Sequence, residues 1–454
     1  MRKLKALLKY IFEITTVVLI SVVLVASAEP AHAQKTSLIR DAEIENTIRQ
    51  FAAPVLRAAK LNEKAVKIHL VLDDSLNAFV AGGQRLFINT GLITQSASAG
   101  QIIGVIAHET GHISGGHLAR LHDALNKSSA TTIMSMLLGV TAIVAGRGDV
   151  GTMIIAVGQG ISASNFLKYS RTQESAADHA ALRFLDDTSQ SAKGLLDFMK
   201  KLGEQELLVT ARQDPYVRTH PLTRNRVATI ANHVAKSPHS DNPVPQKLEN
   251  LFQRARAKII GYFMPLGHTL RIYIQKDKSQ AARYARAIGY FRKSDFNKAI
   301  ALMDELIAEF PRDPYFWEMK GQMTFESGDA KGAIKPYQTA VSLLPGNALI
   351  RRDLGRVQLE LNDPALLNDA IVNLRAATIE DPESPFTWRQ LAIAYGRQGD
   401  KGHSSLALAE EALLLGKKSI ARYHGGLAER LFPKGSREWL HAQDILTAAR
   451  HKKK

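Results

Sequence analysis

The sequence of 454 residues contains no cysteine. Disulfides, thiolate metal sites and cysteine nucleophiles are therefore excluded, and any bound metal must be held by histidine, aspartate or glutamate. Long apolar runs are also scarce. The uncharged stretch at residues 131–145 would reach about 22 Å as a helix, against about 30 Å of hydrocarbon in a bilayer. Together with the apolar stretch at residues 151–163, it predicts a buried helical pair. The alternative is a surface that enters a membrane or covers an active site.

The first 33 residues are ordered like a secretory signal. A basic start is followed by the apolar run Ile14–Ala26, and the small residues Ala31 and Ala33 flank one histidine before Gln34. This layout predicts a signal peptide at residues 1–33, with an uncleaved membrane anchor as the alternative. Export of a chain without cysteine suggests the bacterial periplasm.

The chain is strongly basic, with a formal net charge of +16. Residues 1–33 hold four basic and two acidic residues, so the remainder still carries +14. The basic residues are spread along the chain, which predicts a solvated surface and leaves peripheral contact with an anionic membrane open. Because no nucleic-acid motif accompanies the charge, no nucleic-acid partner is predicted.

The first part of the mature chain mixes helix and strand patterns. Apolar residues recur at helical spacing between residues 36 and 61, at Ile44, Ile48, Phe51, Val55 and Leu56. Two strand-like segments follow at residues 65–72 and 77–94, and Gly82-Gly83 in the second fits a tight hairpin turn. We expect a small sheet with one free edge. Helical periodicity returns at residues 104–121.

The second part reads as helical repeats. The proline-rich, polar segment at residues 235–250 predicts a linker or long surface loop. Within residues 251–450, one unit matches the tetratricopeptide pattern at Trp317, Gly321, Ala333, Tyr337, Ala340 and Pro345. A 34-residue shift finds Ala287, Ala299 and Pro311 upstream and Gly355 downstream; after a slip of three residues the pattern resumes at Ala370, Ala377, Pro382 and Trp388. These offsets predict a solenoid with a concave groove for partners.

The stretch AHETGHISGGHLAR at residues 107–120 carries the clearest chemical signal. His108 and His112 are four residues apart, so on a helix both imidazoles reach the same ion, while Glu109 is placed to contact water. The apolar residues before the motif predict a buried helix, and buried histidines beside a glutamate need partners. The motif therefore predicts a hydrolytic zinc site, which takes three protein ligands and leaves a fourth position open.

Two residues compete for the place of the third ligand. His117 stands one residue before the third histidine of a longer zinc motif, so a packing or surface role is predicted for it. Glu174, in RTQESAADHAALRF, is the better candidate, because the alanines around it favour a helix that approaches another helix closely. Asp178 lies four residues later on the same face and can orient a ligand imidazole. Taken alone, this stretch would also fit a solvated acidic helix.

These motifs together resemble the gluzincin peptidase family M48, which includes CAAX prenyl proteases. The resemblance rests on HETGH at residues 108–112 followed by ESAAD at residues 174–178. The segment at residues 77–94 is similar to the hairpin that precedes the zinc helix in that family. THPLTRNRV at residues 219–227 resembles the family's H-P pair with an arginine six residues after the histidine.

The resemblance implies one zinc ion per chain, held by His108, His112 and Glu174, with Glu109 as general base. It also implies that the chain is α+β and mostly α, with a zincin-type metalloprotease domain at residues 34–234 that is followed by a helical tetratricopeptide solenoid.

Three further residues receive roles by the same resemblance. Asp178 would support a metal ligand without binding the metal. His220 and Arg226 would act at the active site, either by stabilising the oxyanion or by occupying the open zinc position at rest.

The expected activity is endoproteolysis of misfolded or stalled outer-membrane proteins in the periplasm, with an outer-membrane assembly complex as a partner for the groove. An extended substrate is predicted to add to the free sheet edge near Phe79–Phe87, which proline at Val80 or Leu86 would test. The alternative is a chaperone or scaffold for outer-membrane protein assembly with latent protease activity.

Overall fold

The computed structural model describes residues 37–117, 160–206, 220 and 222–450. The predicted signal peptide and the stretch at residues 131–145 lie outside these residues, as does most of the stretch at residues 151–163. None of the described helices has the length and apolar character needed to cross a membrane. The described chain is mostly helical with one four-stranded sheet, so the predicted fold class is confirmed.

The first half contains four strands and six helices within the described residues. Its elements are β1 (Ser37–Ile39), α1 (Ala42–Ala58), β2 (Lys67–Leu72), β3 (Ala78–Ala81), β4 (Arg85–Asn89), α2 (Thr90–Gln95), α3 (Ala99–Ser114), α4 (Gly160–Asp187), α5 (Lys193–Glu206) and α6 (Arg224–Lys236). Helix α1 begins where Asp41 accepts a hydrogen bond from the Ile44 N–H, and its predicted apolar positions are all buried.

The sheet has the strand order β1-β2-β4-β3. Strands β2 and β4 are parallel, and the two outer pairs are antiparallel. The predicted hairpin is confirmed: Gly82 and Gly83 connect β3 to β4 with φ angles of +55° and +96°, which residues with a β-carbon rarely adopt. Strand β3 is therefore an edge strand of the sheet.

The hydrophobic core of this half also includes a helix from beyond the predicted linker. The loop covers only residues 237–245, because α7 (Gln246–Phe263) begins earlier than expected. Phe252 and Ile259 of α7 pack with α1 and α3 in the hydrophobic core of the first half. Ile260 of the same helix packs with residues 273–285, which follow α7 in the chain. The predicted boundary at residue 250 thus falls inside a helix that contacts both halves. The polar, proline-rich segment before α7 did not indicate those contacts.

The remaining described residues form helices throughout. They are α8 (Leu266–Ile272), α9 (Gln280–Arg292), α10 (Phe296–Glu309), α11 (Pro314–Glu326), α12 (Ala330–Leu343), α13 (Ala348–Glu360), α14 (Pro364–Glu380), α15 (Pro385–Gln398), α16 (Lys401–Leu414), α17 (Lys418–Leu431) and α18 (Arg437–Arg450).

Helices α9 to α18 pack as consecutive pairs. Gly321 is small where the ring of Tyr337 crosses it, since a β-carbon there would lie 2.7 Å from the ring. The predicted register slip has a structural cause: α14 has 17 residues, whereas α12 and α16 have 14. The pair α17 and α18 extends the array beyond the repeat positions predicted up to Trp388.

The first repeats enclose the start of α1. Ala42 shares a hydrophobic cluster with Tyr337 and Ile350. Beside it, Arg254 Nη2 lies 2.5 Å from Glu43 Oε1, and the Tyr284 hydroxyl donates to Glu43 Oε2 at 2.8 Å. Part of the surface of the first repeats is therefore covered by α1 of the same chain.

Candidate metal centre and catalytic site

The close approach of α3 and α4 builds the site. A β-carbon at Gly111 would lie 2.7 Å from the carbonyl oxygen of Ala177 on α4, and one at Gly104 would lie 2.7 Å from the Leu195 side chain on α5. Only glycine permits contacts this short. Helix α4 therefore lies against the backbone of α3, which places Glu174 opposite the two histidines of the motif.

The three residues predicted as metal ligands meet at one point. The Nε2 atoms of His108 and His112 are 3.2 Å apart. Glu174 contacts both, with Oε2 3.3 Å from His108 Nε2 and Oε1 3.4 Å from His112 Nε2. All three side chains are buried.

His220 supplies a fourth ligand atom to this group. Its Nδ1 lies 3.4 Å from His108 Nε2 and 3.1 Å from Glu174 Oε2. All four ligand atoms lie within 4.8 Å of one another. Ligands about 2.05 Å from a tetrahedral zinc ion are about 3.3 Å apart. The observed spacings and the buried set of nitrogen and carboxylate ligands therefore fit zinc.

A buried ion pair supports the ligands from behind. His108 Nδ1 lies 2.9 Å from Asp178 Oδ1. Arg226 donates to both oxygens of Asp178, from Nε at 2.6 Å and from Nη2 at 2.9 Å. Its Nη1 lies 3.0 Å from Glu174 Oε2 and donates to the His220 carbonyl oxygen at 3.4 Å. Arg226 thus contacts Glu174 and His220 directly and His108 through Asp178.

Glu109 lies beside the ligand group without a hydrogen bond to its carboxylate in the described chain. The side chain is fully buried, and neither carboxylate oxygen has a hydrogen-bond partner among the described residues. His220 Nε2 is 3.6 Å from Glu109 Oε1. Burial raises the pKa of the Glu109 carboxyl above its ordinary value. The geometry leaves this carboxylate free to exchange a proton with a molecule beside the metal position.

The two motif histidines differ in their affinity for protons. Burial lowers the pKa of His108, but Asp178 and Glu174 outweigh burial and raise it to about 9. Burial and the neighbouring His108 lower the pKa of His112 to about 2. Burial opposes ionisation of Asp178, yet its hydrogen bond with Arg226 brings its pKa to about 2. A metal ion would displace the proton from His108 Nε2, because an imidazole nitrogen binds a metal only when it is deprotonated.

His117 lies behind the ligand group. Its Nδ1 is 2.9 Å from His112 Nδ1, the ring nitrogen on the side away from Glu174. The residue is buried, and it is outside the group of four ligand atoms. The packing role predicted from its one-residue offset agrees with this position, while the contact with His112 was not foreseen.

Two imidazoles from one helix, a carboxylate from a second helix and a buried glutamate beside them define the site of a zincin-type metallopeptidase. Comparison with protein families gives the same class. Residues 39–234 match the model of peptidase family M48, and residues 284–348 match the tetratricopeptide repeat model. The chain carries a family M48 metallopeptidase domain followed by tetratricopeptide repeats, as the sequence predicted.

Similar proteins align with most of the chain. The beta-barrel assembly-enhancing protease of Yersinia pestis is 24% identical over 365 residues, which cover 78% of this chain and 72% of that protein. The protein of the same name from Escherichia coli K12 is 22% identical over 391 residues, or 84% and 77% of the two chains. The crystal structure of a MamA protein aligns with 40% of this chain over 91% of its own length. The two are 19% identical, and the TM-score is 0.29.

Proposed function

We propose that the protein is a periplasmic zinc-dependent endopeptidase that degrades misfolded or unassembled outer-membrane proteins and so assists their assembly. The observation that carries the proposal is the group of four buried ligand atoms beside Glu109, a carboxylate without a hydrogen-bond partner in the described chain. A buried carboxylate without a hydrogen bond is costly for folding, and such groups are typical of active sites.

We assign one zinc ion per chain to His108, His112 and Glu174. When bound, zinc supplies Lewis-acid polarisation of the scissile carbonyl and lowers the pKa of water. His108 directs Nδ1 at Asp178 Oδ1, 2.9 Å away, which leaves Nε2 available as a ligand atom, and Arg226 fixes Asp178 in turn. These contacts support a positioning role for Arg226 in place of direct contact with the oxyanion.

Glu109 is the proposed general base. Burial raises its pKa and so makes it a stronger base than an exposed carboxylate. It would accept the proton of the attacking water and return it to the leaving amine. Because neither oxygen of Glu109 accepts a hydrogen bond from the described chain, both are available to water.

His220 is proposed to close the site at rest. Its Nδ1 stands where the fourth ligand of a tetrahedral ion would be, at 3.1 Å from Glu174 Oε2. A substrate carbonyl requires that position, so the imidazole must withdraw before cleavage. Oxyanion stabilisation by the displaced ring is the alternative role.

The edge of β3 is the proposed docking site for the substrate backbone. Asn89 N–H donates to the Asn77 carbonyl oxygen at 3.0 Å, so the antiparallel ladder alternates from that pair. Ala78 and Val80 therefore direct their N–H and C=O groups away from β4, toward the open edge. Strand β3 also packs against α3, which carries the metal residues. An extended peptide on this edge would run past the site.

The proposed location and partners rest on other features. The predicted signal peptide at residues 1–33 and the name of the relatives support a periplasmic role in outer-membrane protein assembly. We propose a protease domain at residues 34–234 and a repeat domain at residues 251–450, with the solenoid as the surface for an assembly complex. The second candidate, a chaperone or scaffold with latent activity, is favoured by His220, because a closed site would spare folded clients.

Glu109→Gln separates the two candidates. The exchange keeps the shape of the side chain and removes the base, so zinc content should persist while cleavage of an unfolded outer-membrane β-barrel protein is lost. The exposed exchange Glu309→Gln on α10 is the control and should cleave at the normal rate. A Glu109→Gln protein that still degrades the β-barrel substrate would rule out the enzyme proposal. Normal assembly of that substrate in cells carrying the variant would support the scaffold.

A further inference from the structure

Three aromatic rings form a continuous row across one face of the sheet. His69 on β2, Phe87 on β4 and Phe79 on β3 occupy directly paired positions. Successive ring centroids are 4.8 Å apart, with interplanar angles of 21° and 6°. The neighbouring residues Val80 and Leu86 belong to the hydrophobic core on the opposite face. The aromatic row therefore lies on the face that points away from the core.

The row ends at the open edge of the sheet. Strand β3 is outermost, and Phe79 is the last ring of the row within the described chain. Adjacent strands are about 4.8 Å apart, and the rings repeat at the same 4.8 Å spacing. An aromatic residue on a strand added to β3, directly opposite Phe79, would therefore continue the stack by one ring.

The backbone pairing makes that position a close one. A strand that bonds antiparallel to the outward groups of Ala78 and Val80 faces Phe79 with a residue that makes no direct backbone hydrogen bond to it. In antiparallel sheets the side chains of such pairs approach most closely. The ring of Phe79 is thus presented where cross-strand contact with a substrate side chain is strongest.

Charged side chains and a turn of the repeat domain lie around the aromatic row. Burial and the nearby Arg85 and Arg40 lower the pKa of His69, which favours the uncharged form of its ring. The turn between α14 and α15 reaches the same region: Arg40 Nη1 lies 2.8 Å from Asp381 Oδ2, and Arg85 Nη2 lies 3.9 Å from Glu383 Oε2. The repeat domain therefore forms one border of the aromatic row.

We infer that the aromatic row selects extended substrate segments that carry an aromatic side chain opposite Phe79. The inference rests on the proposed protease function and names its substrate class: β-strand segments with an aromatic residue on one face. Phe79 is the specificity residue at the point of contact, and Phe87 holds its ring from behind. Because β3 packs against α3, the selected segment would lie beside the helix that carries His108 and His112.

The test compares matched peptides on variants of the whole protein. In a set of fluorogenic peptides, one phenylalanine is moved through successive positions, and each peptide has a partner with leucine in its place. An aromatic pair of this kind should raise kcat/KM about 2- to 10-fold at one position. Phe79→Leu should bring that phenylalanine-to-leucine ratio close to one, whereas Phe79→Tyr, which keeps a ring, should retain it. Phe263→Leu, which removes an exposed ring on α7, is the control and should leave the ratio unchanged.

A binding measurement separates the two levels of the proposal. The same peptides are titrated by fluorescence anisotropy against Glu109→Gln and against its double variant with Phe79→Leu. Equal affinity for the phenylalanine and leucine peptides, or a preference that survives Phe79→Leu, would overturn the specificity site even if hydrolysis is normal. A preference in binding that depends on Phe79, in a protein that cleaves no peptide, would uphold the site and contradict the protease function.

Discussion

Arg226 grips Asp178 at two points, with Nε 2.6 Å from Oδ2 and Nη2 2.9 Å from Oδ1. Asp178 in turn contacts His108 on the nitrogen that faces away from the ligand group. The orientation of a metal ligand on α3 therefore depends on a guanidinium at the start of α6. This chain of contacts crosses three helices that are distant in sequence.

The first prediction concerns Arg226→Lys. Lysine keeps the charge but cannot bond both oxygens of Asp178, because its single ammonium lacks the planar fork. We expect the free energy of unfolding to fall by about 1.5–3 kcal/mol, the value of a hydrogen bond to a charged group, and zinc affinity to fall about 10- to 100-fold. Denaturant titration and competition with a chelator measure the two effects. Arg224→Lys, an exposed exchange on the same helix, should change neither; equal zinc affinity in both variants would contradict the role.

The second prediction tests the contact between α3 and α4. In Gly111→Ala the new methyl group would lie 2.7 Å from the Ala177 carbonyl oxygen, so the helices must separate. We expect a loss of about 1–3 kcal/mol in stability from overpacking, together with weaker zinc binding as Glu174 withdraws. Gly267→Ala on α8 is the control, since nothing lies within 4 Å of its added carbon. Unchanged stability and zinc content in Gly111→Ala would show that the helices tolerate the methyl group.

The third prediction tests the third ligand directly. Glu174→Ala should purify with far less than one zinc per chain, because it removes the only carboxylate from the group of four ligand atoms. Elemental analysis before and after dialysis against a chelator gives the stoichiometry. Asp187→Ala, which removes an exposed carboxylate from the same helix, should keep its zinc. Full occupancy in Glu174→Ala would transfer the ligand role to His220.

The sequence predicted the elements whose patterns are local. Apolar periodicity indicated α1, the glycine pair indicated the β3–β4 hairpin, and the repeat offsets indicated most of the solenoid. Glu174 was a candidate because of its alanine-rich helix, and the resemblance to family M48 gave it the predicted role of third ligand. Each of these signals lies within one or two elements.

What the sequence did not predict depends on contacts between distant segments. The ion pair of Arg226 with Asp178 joins α6 to α4, and neither side chain carries a local signal for the other. The position of α7 in both halves was hidden because its apolar residues face two partners. The sequence likewise did not indicate the burial of Glu43 against Arg254, because a glutamate in the first turn of a helix is an ordinary surface feature.

The fourth prediction concerns pH and Glu43, at the contact between α1 and the repeats. Burial would raise the pKa of this carboxyl, but Arg254 and Lys258 outweigh burial and lower it. The folded chain therefore binds this proton less readily than the unfolded chain. The stabilisation is complete well above the unfolded pKa of about 4.3, and it is lost as the pH falls through the folded value.

Glu43→Gln should accordingly lower the free energy of unfolding at pH 7 by about 1.5–3 kcal/mol, because Arg254 and Lys258 each lose one carboxylate partner and keep Asp313 and Asp41. The difference from the unmodified protein should shrink as the pH is lowered from 6 to 3. Denaturant unfolding at several pH values measures it. Glu63→Gln, in a partly exposed ion pair with Arg57, should cost less than about 1 kcal/mol. A Glu43→Gln effect that stays constant down to pH 3 would exclude ionisation of Glu43 as its cause.

The last prediction concerns the free edge of β3. Val80→Pro removes an N–H group that points away from the sheet, and proline is tolerated on an edge strand when its missing N–H faces outward. The fold and the zinc site should therefore persist, while kcat/KM for extended peptides falls, because the substrate loses a main-chain hydrogen bond and meets the ring of proline. Val80→Ala keeps the N–H and controls for the lost side chain. Leu86 is unsuitable for this test, since it is buried on the inner strand β4, where proline would break the sheet itself. If the Val80→Pro protein cleaved extended peptides as fast as the Val80→Ala protein, substrates would have to bind elsewhere. They would then not contact the aromatic row.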